Sequence, residues 1–179
     1  MVLDVAGPAP RRFEQRESAG AAFATQDLAD ADLGTGFGFE GTADFVIVDR
    51  LAAYVGWDWH RFSADEGFAG TDVDIEETGY ALGLRYDQRS VPRARSCGSG
   101  AGGTCNQIEI EDDDEIMADS GHGAGWEAGA GLGFVLGSGW RVIPGARYRA
   151  LSRSIEVGNV VTDVNLTYVA LEMALSKRF

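Results

Sequence analysis

Histidine, cysteine and proline are scarce here, with 2, 2 and 4 copies in 179 residues. The two histidines, His60 and His122, do not complete a zinc-ligand spacing, which argues against a structural zinc site. No run of 18 apolar residues occurs, so no transmembrane helix is expected. A membrane barrel would not show one, because its strands are short and alternating. Positive charge is also short: 15 Lys plus Arg face 28 Asp plus Glu, a formal net charge of -13, which argues against nucleic acid as a partner. The length suits one domain, no cofactor is indicated, and export would need a leader that is expected to have been removed ahead of Val2.

Glycine is abundant, at 25 residues without a collagen-like period. Residues 1–12 read as an irregular lead-in, and 13–179 as one domain of alternating segments. The last segment sets Val169, Leu171, Met173, Leu175 and Phe179 on one face. Ala170, Glu172, Ala174, Ser176 and Arg178 lie on the other, the period of a strand. Similar alternation appears near 13–25, 35–48, 51–62, 77–86, 126–136 and 140–149, giving seven clear strands. A closed membrane barrel normally has an even number. An eighth strand is therefore expected within the acidic segment at about 90–120, at either 91–97 or 107–111. Short connections at 48–51 and 137–139 alternate with longer ones at 26–34, 63–74 and 153–163.

Alternation alone fits a soluble barrel as well. The glycines Gly36, Gly38, Gly56, Gly79, Gly83, Gly129, Gly131, Gly133 and Gly145 share the charged face, as a narrow interior would require. That face carries Glu14, Glu40, Asp44, Asp58, Glu77, Glu127 and Glu172 against Arg16, Arg85, Arg141, Arg147, Arg149 and Arg178. Near-neutrality is what a closed, ion-paired lumen needs. Large aromatics on the apolar face, among them Trp57, Trp59, Trp126, Trp140 and Tyr80, lie towards strand ends as in interfacial girdles. The expected fold is therefore all-β: a closed, antiparallel, up-and-down transmembrane barrel of about eight strands.

The run Gly-Phe-Gly-Phe-Glu-Gly at 36–41, Ala-Tyr-Val-Gly-Trp at 53–57, Gly-Trp-Glu-Ala-Gly-Ala-Gly at 125–131, Gly-Ala-Arg-Tyr-Arg at 145–149 and the strand ending on Phe179 carry a resemblance. The chain resembles the small OmpA/OmpX-like outer-membrane barrels of Gram-negative bacteria over about 13–179, except at 90–120. The resemblance implies an outer-membrane location, contact with membrane lipid and lipopolysaccharide, and a terminal Phe179 read by the barrel-assembly machinery. It specifies architecture rather than chemistry.

Four local features bear on function. Cys97 and Cys105 bracket a Gly/Ser-rich stretch and read as a local disulfide in an oxidising compartment, the alternatives being free thiols or a metal site. His60, with Asp58 and Ser63, is the nearest material for a lipid A-modifying enzyme, but its parity points it inward. His122, between glycines, reads as a loop residue. The acidic run Glu109, Glu111, Asp112, Asp113, Asp114, Glu115 lacks calcium-loop order and reads as a solvated loop, with Asp112, Asp113 and Asp114 a weak metal candidate. The lumen set Glu40, Asp44, Asp58, Glu77, Arg85, Glu127, Arg147, Arg149 and Glu172 is expected to fix the barrel or line a narrow ion path. These features predict a non-enzymatic protein with a structural, adhesive or partner-binding role, the alternatives being a lipid A-modifying enzyme or a soluble ligand-binding barrel.

Overall fold

The computed structural model describes residues 13–26, 32–65, 73–90, 95–112, 115–157 and 160–179. The lead-in at 1–12 lies outside them. The strands are β1 (Phe13–Ala24), β2 (Asp32–Leu33), β3 (Thr35–Val48), β4 (Leu51–Asp65), β5 (Val73–Ser90), β6 (Arg95–Asp112), β7 (Glu115–Asp119), β8 (Gly123–Gly137), β9 (Trp140–Val157) and β10 (Val160–Arg178). Eight form the wall, in the order β4-β3-β1-β10-β9-β8-β6-β5, and pairing of β4 with β5 closes it. β2 extends the wall against β4, and β7 folds back on the end of β6. All neighbours are antiparallel, and closure leaves no unpaired edge in the wall.

Two turns at one end are tight. Arg50 takes φ 72° between β3 and β4, and Gly137, Ser138 and Gly139 all take positive φ between β8 and β9. At the other end, the connections expected at 63–74 and 153–163 are partly strand. β4 and β5 continue to Asp65 and from Val73, while β9 and β10 continue to Val157 and from Val160.

The eighth strand is neither short candidate. β6 runs unbroken from Arg95 to Asp112 with the Gly/Ser stretch in its middle, paired with β5 and β8. This corrects the disulfide reading: Cys97 and Cys105 are exposed free thiols on one extended strand. Eight residues at about 3.3 Å each separate them by roughly 26 Å, whereas a disulfide needs Cα atoms within about 7 Å. The inference of an oxidising compartment from these cysteines falls with the disulfide. Both thiols should react with maleimide in the denatured chain without prior reduction. A product resistant to labelling until reductant is added would contradict this strand.

Outward positions across the middle are apolar: Leu82 is 65% exposed, Leu132 54% and Leu171 54%. Aromatics gather at two levels on this face. Towards the long-loop end, Phe39 stacks near Trp57 and Trp59 (5.5 Å each), and Trp126 near Tyr148 (5.2 Å). Towards the tight-turn end, Phe13 meets Phe45 (5.5 Å) and Phe179 (5.8 Å), and the Lys177 ammonium lies 5.0 Å from the Trp140 ring. The eight residues from Trp140 to Tyr148 on β9, tilted as in small barrels, put the two levels about 20 Å apart, close to the height of a lipid-facing band. Gln15 and Glu17 are polar outward residues on β1, and Gln15 donates to Glu17 (3.2 Å). The soluble-barrel alternative fails on this band, since water would face its apolar side.

Candidate functional site

Inward positions divide the lumen into three levels. At the tight-turn end, Glu14 on β1 accepts hydrogen bonds from Arg141 and from Arg178 (2.9 Å), while Arg141 also donates to Asp87 (2.8 Å) and Arg85 to Asp44. Around these residues lies a vestibule of about 530 Å³.

The middle level is an arginine pair on β9. Arg149, 0% exposed, donates through Nη1 to Asp58 (2.5 Å) and Glu77 (3.0 Å), and through Nη2 to Glu127 (2.5 Å) and Glu40 (3.5 Å). Arg147 donates to Glu40, Glu127 (3.3 Å) and Glu172 (3.1 Å). Tyr168 and Tyr54 add donors, each 2.5 Å from Glu77 and Glu127 respectively. Carboxylates from β3, β4, β5, β8 and β10 thus converge on two residues of β9. Buried charges at this density hold only as a mutually hydrogen-bonded set.

Glycine makes the room. Tyr54 lies between Gly83 and Gly102, where an added Cβ would come 2.6 Å and 2.5 Å from its hydroxyl oxygen. Gly102→Val should therefore expel Tyr54 from Glu127 and lower stability by about 1–3 kcal/mol through overpacking. Chemical denaturation in detergent micelles measures this, and an unchanged midpoint would refute the packing role.

The third level, at the long-loop end, inverts the polarity. Phe62, Val73, Ile75, Ile108, Ile110, Leu151, Val164 and Leu166 face inward and are buried. Beside them Arg61, Ser63, Asp74, Glu76 and Glu109 face outward, with Arg61 donating to Asp74 (2.6 Å) and Glu76 (3.1 Å), Ser63 to Asp74 (2.9 Å) and Gln107 to Glu109. Here the wall is an ordinary water-exposed barrel with an apolar core, because water surrounds it and hydrophobic burial acts again. Arg153 sits against this core and gives its donors to the carbonyls of Asn106 (3.0 Å), Ala124 (2.8 Å) and Gly123 (2.5 Å).

The structure brings together all nine residues of the expected lumen set. It adds Asp87, Arg153, Tyr54 and Tyr168, whose inward parity in the sequence was the available signal, and Asn106 on β6, where no alternation marked the face. It does not assemble the enzyme candidate: His60 points inward beside Glu77 (3.3 Å), whereas Ser63 faces outward and donates to Asp74 (2.9 Å). His122 is exposed in the connection before β8. Asp113 and Asp114 lie outside the described residues, and Asp112 is described only as the backbone end of β6. Phe179 is exposed in the lower girdle, its amide donating to the Phe13 carbonyl (3.0 Å).

A closed eight-stranded wall, charged within, banded with apolar residues outside and flanked by two aromatic levels, defines a small outer-membrane barrel. The family described as outer membrane protein beta-barrel domain matches residues 6–178, and the chain belongs to it. Among solved structures it is similar to Neisserial surface protein A, at 18% identity and TM-score 0.63, over 93% of this chain and 96% of that one. OprG of Pseudomonas aeruginosa is similar at 14% identity and TM-score 0.60, over 94% and 97%. Outer membrane protein W of E. coli is similar at 13% and 0.58, over 96% and 100%. At these identities the likeness is one of fold. No curated protein sequence matches the chain.

Proposed function

We propose that this protein is a non-enzymatic barrel of a Gram-negative outer membrane that acts structurally or adhesively through its acidic long-loop end. The observation that carries this reading is the inverted third level. An apolar layer led by Phe62, Ile75, Ile108 and Leu166 closes the lumen, while Asp74, Glu76, Glu109 and Glu111 present negative charge outside it at the same level. A sealed lumen leaves the outer surface as the working face. Lipid and lipopolysaccharide meet the band and rim, a basic protein surface would suit the acidic end, and β10 with Phe179 would be read by the assembly machinery during insertion.

The test compares cells displaying equal amounts of the wild type and of a variant carrying Asp74→Asn, Glu76→Gln, Glu109→Gln and Glu111→Gln. Attachment to a polylysine-coated surface should rise with the wild type and fall to background with the variant. Equal attachment by both, or a change in lipid A mass that depends on His60, would overturn the reading.

A further inference from the structure

The upper edge of the charged level holds polar atoms that the ion pairs do not use. His60 lies opposite Glu77 across the β4–β5 ladder, and Asp58 opposite Gly79. Gly79 in turn pairs with Asn106 on β6, and its missing side chain admits that amide: an added Cβ would sit 2.6 Å from Asn106 Cγ. Asp58, Glu77 and Asn106 are 0% exposed and His60 7%. One ligand atom each from Asp58, His60 and Glu77 falls within 4.8 Å of the others.

The hydrogen bonds leave one atom each of Asp58 and Asn106 without a partner among the described residues. Asp58 Oδ1 accepts from Arg149 (2.5 Å) and Asn106 (2.9 Å), whereas Asp58 Oδ2 has no partner among the described residues. Asn106 Nδ2 donates to Asp58 and Glu77, and its Oδ1 has no partner there either. His60 Nδ1 lies 3.3 Å from Glu77 Oε2, at a distance an ion between them could bridge. Each buried atom left without a partner costs about 1–3 kcal/mol if nothing binds it, and Asp58 Oδ2, fully buried within 4.8 Å of ligand atoms on His60 and Glu77, points to a missing occupant.

Charge selects the kind of occupant. Glu40, Asp58, Glu77, Glu127 and Glu172 share Arg147 and Arg149, with Arg85 reaching Glu40 at 3.6 Å. Arg153 adds a fourth guanidinium beside Asn106 (3.0 Å), so five carboxylates face four arginines; the excess is one negative charge, and the occupant is a cation. An imidazole nitrogen with carboxylate oxygens suits a borderline divalent ion such as Zn²⁺ better than Ca²⁺, which takes oxygen alone. We propose that Asp58, His60 and Glu77, with Asp58 and Glu77 both held by the Asn106 amide, form a buried site for one divalent transition-metal ion.

The lumen gives this site one-sided access. The 530 Å³ vestibule shares Arg16, Arg85 and Asp87 with a cavity of about 50 Å³ above it. That cavity shares Glu172 with a gap of about 10 Å³ beside His60. On the far side, Phe62 packs on Tyr168 (5.2 Å between rings) and the apolar layer begins. These spaces lie on the tight-turn side of the site, and ion binding there does not depend on the surface role proposed above.

The test uses the full chain in detergent without a histidine tag, stripped with chelator and titrated with Co²⁺ and then Zn²⁺. The wild type should bind one Co²⁺ with a visible d–d absorption that Zn²⁺ displaces. His60→Ala and Asp58→Asn should each weaken binding at least tenfold, and Glu109→Gln on the outer face should leave it unchanged. Should the lumen variants misfold, ¹⁵N-histidine spectra of the wild type decide: one equivalent of Zn²⁺ should shift His60 Nδ1 and leave His122 in place. Absence of saturable binding, an unmoved His60 resonance, or loss of binding in Glu109→Gln would overturn the site.

Discussion

Arg149→Ala should destabilise the barrel by about 3–5 kcal/mol, the cost of leaving buried charges without their partner. Asp58, Glu77, Glu127 and Glu40 all accept from this one guanidinium, which is fully enclosed, so no water can replace it. Arg149→Lys should recover less than half of the loss. A single ammonium cannot serve two carboxylates on each side of a planar fork. Adding Asp58→Asn to Arg149→Ala should restore part of the stability, since the pair shares one buried network. Denaturant unfolding in micelles measures all three, and a loss below about 1 kcal/mol for Arg149→Ala would place the network outside the barrel's energetics.

Phe62→Ala should have a comparable effect by a different route. Phe62 is 1% exposed, packs on Tyr168 and fills the space that Gly36 leaves open on β3. Its removal leaves a cavity in the apolar layer, at a cost of about 3–5 kcal/mol. Because that layer closes the lumen, the variant should also pass small cations in planar bilayers where the wild type does not. Wild-type conductance equal to that of Phe62→Ala would show that the layer is no seal.

Which face of each strand points inward was legible because side chains alternate and the charged set is nearly balanced. Asp44, Asp58, Glu77 and Arg147 needed only their parity. Which arginine meets which acid was not legible, because Arg149 and Asp58 are 91 residues apart and meet only across a closed wall. β6 was hidden for a different reason. Its outward Cys97, Ser99, Ala101, Gly103 and Cys105 are nearly as small as its inward Gly98, Gly100 and Gly102, so no contrast marks a period. The inward glycines make sense only once Tyr54 and Arg85 are seen beside them.

The polarity inversion was present in the sequence but easy to pass over. Ile75 shares parity with Glu77, Ile108 with Asn106, and Leu166 with Glu172, so each strand places apolar and charged residues on the same face. Outward positions change in the opposite sense, from Tyr80 and Leu82 to Glu76 and Asp74. A face that exchanges character partway along a strand marks where lipid gives way to water, because only in water does apolar burial favour the interior.

Proton NMR contacts along β5 in a lipid bilayer test both the band and the seal. Tyr80, Leu82 and Leu84 should contact acyl-chain protons, Ala81 and Gly83 should not, and Ile75 should contact neither acyl chains nor water. Acyl contacts at Ala81 or water contacts at Ile75 would contradict the inside-out belt and the closed lumen on which the functional reading stands.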